Sequence, residues 1–207
     1  MINYGTRTFG ILCIAALGLS GCGAIEGAIE DRIGDEDDAA VRGDTEYFVL
    51  LDEGNAINGR LNLLGPATNM PAEGTASFDG IASMNWGPPV VDSGGTILLS
   101  RVTLNADFAA NTIGGDFTGF ERPSGAQIGG SLAVTNGTIT DKGGVSFNLI
   151  GQLTGAVEGD IEASTANATF LGDGAQGIEG DLTGTFTGIG LPAAPLVDSF
   201  FVGARRP

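Results

Sequence analysis

Histidine is absent from the 207 residues, lysine occurs once (Lys142), and cysteine twice (Cys13 and Cys22). The commonest general bases, proton shuttles, imidazole metal ligands and Schiff-base nucleophiles are therefore missing. No Ser-His or Cys-His set can be assembled, and a noncatalytic protein with no catalytic residues is expected. Lys and Arg together number 9 against 25 acidic residues, a net charge of -16. Nucleic acid and anionic lipid headgroups are attracted by cations that neutralise phosphate, so neither is an expected partner. Trp occurs once and Tyr twice, too few for the aromatic girdles of a membrane-spanning barrel. The acidic run Asp35-Glu36-Asp37-Asp38 lacks the turn glycine and ligand spacing of a calcium loop. Glu158, Asp160 and Glu162 alternate onto one solvated strand face, where no desolvation would separate an acid from a base. No metal and no cofactor is expected.

Glycine, by contrast, supplies 36 residues. Each Gly in a helix interior costs about 1 kcal/mol relative to Ala, which argues against a helical bundle. The glycines follow no strict every-third repeat, which removes a collagen-like chain.

The start of the chain reads as an export signal over residues 1–21. Arg7 precedes the apolar run from Phe9 to Leu19, which is shorter than the roughly 20 residues a spanning helix needs. Leu19-Ser20-Gly21-Cys22 then resembles the bacterial lipobox. That resemblance implies cleavage between Gly21 and Cys22, diacylglyceryl transfer to the Cys22 thiol, and acylation of the new amino terminus with a palmitate-type chain. Cys13 would leave with the signal and Cys22 would carry lipid, so no disulfide is expected. Gly23 stands where Asp would signal inner-membrane retention. The expected location is the cell outer membrane, on its surface or periplasmic face, with outer-membrane lipid as the first partner.

Residues 22–43 are acidic and Gly/Ala-rich, and are expected to form a disordered, flexible tether. Over 44–66, Tyr47, Leu50, Leu51, Ile57, Leu61 and Leu64 recur at helical spacing, which predicts a short amphipathic helix stopped by Gly65-Pro66 and broken or weakened at Gly54. Its expected task is to pack on the domain and plug one end. From 70 to 206 the period becomes two. Leu98 to Phe108 and Gly177 to Ile189 show the pattern most cleanly, with Ile178, Gly180, Leu182, Gly184 and Phe186 opposite Glu179, Asp181, Thr183, Thr185 and Thr187. Similar stretches run Gly74-Ala82, Thr112-Phe120, Ile128-Val134, Val145-Leu153, Val157-Ala168 and Phe200-Ala204. Eight one-sided strands separated by short turn signals predict an all-β fold, an eight-stranded antiparallel up-and-down barrel. Glycine between Ile, Leu and Phe suits a narrow lumen filled by side chains, with Thr and carboxylates facing water.

Met70 to Gly80, Val102 to Phe108, Ala168 to Gly172 with Gly177-Ile178-Glu179-Gly180, and the terminal Phe200-Phe201-Val202-Gly203-Ala204-Arg205-Arg206 resemble strands of the β-barrel domain of transferrin-binding protein B and related surface lipoproteins of Gram-negative bacteria. Here Leu171 replaces the aromatic of the usual turn, and there is room for one barrel only. The resemblance implies a lipid-anchored module that binds a protein partner or presents a solute beside an outer-membrane receptor, in some relatives for host iron carriers. The alternative is a lipocalin-like calyx holding a small apolar ligand. The loops expected to meet a protein partner are Trp86-Gly87-Pro88-Pro89, where exposed Trp beside Pro would make a rigid apolar contact, and Phe120-Glu121-Arg122-Pro123. The competing assignments are Trp86 as a cap on the barrel mouth and residues 120–123 as a plain turn.

Overall fold

The computed structural model describes residues 46–86, 96–190 and 192–207. The signal, Gly21 and Cys22, the tether, and Pro88 and Pro89 lie outside the described residues. Among the described residues one helix, α1 (Glu46–Leu61), precedes the strands β1 (Thr75–Trp86), β2 (Thr96–Asp107), β3 (Thr112–Glu121), β4 (Ile128–Ile139), β5 (Gly144–Gly155), β6 (Gly159–Leu171), β7 (Gly177–Gly188), β8 (Ala194–Pro195) and β9 (Ser199–Arg205). Each of β1 to β7 pairs antiparallel with its sequence neighbour, β7 pairs with β9, and β9 pairs with β1. The result is a closed eight-stranded barrel. The two-residue β8 is an extra strand laid against Thr185 and Phe186 of β7.

Period-two patterning decides what lies inside. Phe78, Leu104, Phe117, Leu132, Phe147, Leu149, Ile161, Phe170, Leu182 and Phe201 belong to one continuous buried cluster. Phe117, Phe147 and Phe201 meet one another with ring centroids 5.4 to 6.4 Å apart. Phe170 lies 5.4 Å from Phe78 and 5.8 Å from Phe108. The lumen is thus occupied by side chains. Asp160 and Glu162 of β6 and Thr185 and Thr187 of β7 pair on the opposite, water-facing side of the wall.

Glycine serves two purposes in this wall. At Gly180 the reason is room: a Cβ there would stand 2.5 Å from the Cβ of Ala168 and 2.9 Å from a ring carbon of Phe201. At Gly184 the reason is different, because a Cβ would fall on the backbone carbonyl oxygen of Glu162 in the neighbouring strand. A sharply coiled barrel presses adjacent backbones together at such points, which only a residue without a side chain allows.

Three features depart from the sequence reading. Asn136-Gly137, which has the composition of a turn, is a bulge inside β4, where Asn136 takes φ 52° and the register shifts between Thr135 and Thr138. The ladder resumes beyond it and the strand runs on to Ile139. Helix α1 does not plug an end. It lies on the outer wall, where Tyr47 and Leu50 pack with Ile81 and Leu99, and Ile57 and Leu61 pack with Leu171 and Val202. The end nearest Leu61 is closed instead by the segment after the helix: the Ala67 N–H donates to the Phe170 carbonyl, the Gly172 N–H donates to the Gly65 carbonyl, and Ala67 and Met70 pack on the core. Finally, the closing strand is broken at Asp198, where φ is 46°. There the Val197 N–H donates to the Asn85 carbonyl at 2.8 Å, and the Ser199 hydroxyl accepts from the Asn85 N–H at 2.9 Å, so the seam is kept by a side chain where the ladder fails.

Candidate functional site

The two ends of the barrel differ. One is capped by 65–74. The other carries the end of β1 and the described loops that follow β3, β5 and β7, and the described parts of both sequence-predicted contact loops belong to it. Their aromatic members point inward. Trp86 is only 6% exposed and stacks on Phe186, with centroids 4.4 Å apart and planes at 25°. An isolated bridge pairs its backbone with Leu196. Trp86 therefore lids the lumen and offers little ring surface to a partner. Phe120 is a core residue at 1% exposure. The expectation that it presents its ring at a contact loop is corrected: a register shift between Leu99 and Arg101 places an irregularity opposite Gly119, and Phe120 continues the inward face after it. Arg122 does reach the surface, half-buried at the start of the β3–β4 loop.

Three loops of this end are joined by backbone hydrogen bonds. The Gly125 N–H closes the β3–β4 turn on the Arg122 carbonyl, the Ala156 N–H donates to Gln127, and the Ile189 N–H donates to Glu158. These three loops form one connected stretch of the rim, and Ile189 stands 68% exposed on it. Sequence reasoning missed this residue because it reads as the last apolar position of β7. Gly190, with φ 71°, ends the strand alternation and turns the chain at that point.

Beside the rim lies the most charged cluster involving α1. Arg101 of β2 reaches Glu46 at 2.6 Å and Glu53 at 3.0 Å, clasping two turns of the helix. Burial, and then the neighbouring Glu46, push the Glu121 carboxyl up. Under the same helix the Tyr47 hydroxyl is pushed up to about 12 by burial. On the far side of the seam Arg206 pairs with Asp79, whose carboxyl is lowered chiefly by that hydrogen bond. These are ion pairs at a water-facing surface. Inside the barrel the Ser100 hydroxyl is fully buried and has no hydrogen-bond partner among the described residues.

Among the described residues no group of three or more Cys, Asp and Glu is placed to hold a metal ion. Also among them, no helix is long and apolar enough to cross a membrane. The chain matches no protein-family model and no curated protein.

Proposed function

We propose that this protein is a noncatalytic, lipid-anchored barrel of the bacterial outer membrane whose exterior recognises a protein partner. The observation that supports recognition by the exterior is the aromatic cluster of the lumen. Phe117, Phe147 and Phe201 stand in mutual contact where a calyx would keep a cavity of roughly 300 Å³ or more for its ligand. Anchoring rests on the lipobox-like Leu19-Ser20-Gly21-Cys22. The likeness to transferrin-binding protein B barrels makes an outer-membrane receptor, or a secreted iron carrier, the corresponding class of partner.

Two measurements test the proposal. Cys22→Ala is expected to abolish incorporation of labelled palmitate and to release the barrel from the outer-membrane fraction; persistent labelling would remove the anchor from the account. Fluorescent fatty acids are expected to show no saturable binding to the purified protein. Stoichiometric binding, displaced by unlabelled fatty acid, would replace the partner-binding reading with the lipocalin-like calyx.

A further inference from the structure

We propose that helix α1 is an exchangeable cover, and that the wall beneath it docks an amphipathic helix of the protein partner. This rests on the recognition by the exterior proposed above and says which surface performs it.

The barrel is complete without α1. Among the described residues, the ring of strand pairings and the lumen cluster contain no residue of the helix. Outside, the wall carries Ile81 and Leu99 in one place and Leu171 and Val202 in another, and α1 covers both groups. An apolar surface of this kind on an otherwise polar exterior requires a cover. The cover is loosely built. Gly59 is exposed, and a Cβ added there would meet nothing within 4 Å, so packing does not demand the glycine that weakens the helix at this point. Asn55, also exposed, is a second poor helix former. The ion pairs from Arg101 to Glu46 and Glu53 face water and hold weakly. An element with a small core of its own and few fastenings opens ahead of the body it sits on.

The wall also specifies what fits it. Arg101 takes one carboxylate at Glu46 and another two turns later at Glu53, and this charge match at one end of the contact sets the direction of the bound helix. Ile81 and Leu99 receive the side chains of Tyr47 and Leu50, and Leu171 and Val202 receive those of Ile57 and Leu61. Between the two groups the surfaces come closest at Gly54, where a Cβ would stand 3.4 Å from the Cβ of Ile81. Counted from the first carboxylate, a competing helix therefore carries acids at positions 1 and 8, apolar residues at 2, 5, 12 and 16, and Gly or Ala at 9.

The tests use the full chain carrying Cys13→Ala and Cys22→Ala, so that the outcome does not depend on the anchor. Amide hydrogen exchange is expected to be about tenfold or more faster in residues 51–61 than in the paired strands, and Gly59→Ala to slow it about fivefold in the helix alone. Equal rates in helix and strands would mean that α1 and the barrel open only together, and would overturn the cover. Gly54→Cys with Ile81→Cys supplies a lock, since 3.4 Å between the Cβ positions lies at the short edge of disulfide geometry. The probe for docking is a fluorescent peptide of residues 46–64, offered to a chain whose own helix is weakened by Leu50→Ala and Ile57→Ala. Saturable micromolar binding is expected, weakened about tenfold by Arg101→Glu. Adding the lock to the weakened chain and oxidising it is expected to abolish binding, and reduction to restore it. A weakened chain with unchanged near-ultraviolet circular dichroism that binds no peptide would overturn the docking wall. Dimers that form as the unlocked chain is concentrated, and that the oxidised lock prevents, would assign the wall to α1 of a second copy and overturn the partner. Fatty-acid binding tests the exterior reading separately, because the oxidised lock closes the wall and leaves the lumen unaltered.

Discussion

Gly184 and Gly114 separate what glycine does in this barrel from how much of it there is. At Gly184 a methyl group would land on the Glu162 carbonyl oxygen and within 2.5 Å of the Ala163 Cα. Backbone cannot swing aside as a long side chain can, so the two strands must part. Gly114 in β3 meets nothing within 4 Å. Gly184→Ala is expected to lower stability by about 1–3 kcal/mol, the usual cost of overpacking a tight interior. Gly114→Ala is expected to be neutral or to raise stability by up to about 1 kcal/mol, because it reduces the entropy of the unfolded chain. Urea denaturation midpoints check both. Equal losses at the two positions would show that the close strand approach at Gly184 is not what requires glycine there. Alternation with large residues, visible in the sequence, places Gly180 and Gly184 alike; only backbone coordinates reveal that one makes room and the other permits contact.

Helix α1 shows the same division for a whole element. Its apolar stripe and its stop at Gly65-Pro66 are legible in the sequence. The surface it covers is not, because Ile81 and Leu99 read as ordinary strand residues on the polar face, and Val202 reads with Phe200 and Ala204 as the apolar face of the last strand, whereas Phe201 is the residue that enters the lumen and Val202 faces outward under the helix. The helix turns that part of the outer wall into a second core, and its Gly54 is where the two approach: a Cβ added there would stand 3.4 Å from the Cβ of Ile81. Arg101 contributes registration more than energy, since it and both its partners are 42–50% exposed and such pairs are worth about 0–1 kcal/mol. Docking energy comes from burial of Tyr47, Leu50, Ile57 and Leu61. The Tyr47 hydroxyl makes this measurable. Its folded value of about 12 exceeds the ordinary 10.0, so the folded state keeps its proton to higher pH than the unfolded chain does. Stability from this group is complete below pH 10 and declines as pH rises toward 12, by about 3 kcal/mol in all at about 1.4 kcal/mol per unit. Tyr4 precedes the expected cleavage at Cys22, so processed protein should give one phenolate transition, near 12. Tyr47→Phe should erase that alkaline loss. A transition near 10 in folded protein would mean that the helix leaves the wall readily. Glu121 works in the same sense in the acidic range: burial and Glu46 raise its carboxyl, so its contribution is present at low pH and is lost as pH rises through the carboxylate range.

For the molecule as a whole, strand number, strand order and the inward face of all but the last strand follow from period-two patterning, because closure lets each strand pair with its sequence neighbours; in the last strand Phe201, not Phe200 or Val202, enters the lumen. The joint between the ends of the series is less legible. It brings β1 against β9 across more than a hundred residues, and the sequence marks it only by the alternation Phe200-Val202-Ala204. The candidate site is legible least of all, because Trp86 and Phe120 have the residue types of an interface and the burial of a core. Closure also decides how the domain fails. Strand β9 satisfies Phe78 to Ser83 of β1 on one side and Gly177 to Leu182 of β7 on the other. Removing residues 199–207 therefore frees two edges at once, takes Phe201 out of the three-ring cluster, and strips Val202 from under α1. Deleting one peripheral strand from an open sheet exposes a single new edge and can leave the rest folded; in a closed barrel it opens the lumen and presents unpaired N–H and C=O rows to neighbouring molecules. The truncated chain is expected to lose its cooperative unfolding transition in circular dichroism and to elute as aggregate on gel filtration. Recovery of both on adding a synthetic peptide of residues 196–207 would show that the edges, rather than chain length, set the outcome. A monomeric truncation with a sharp transition would mean that β1 and β7 can close without β9, and that the barrel is an eight-stranded object by choice of sequence rather than by necessity of pairing.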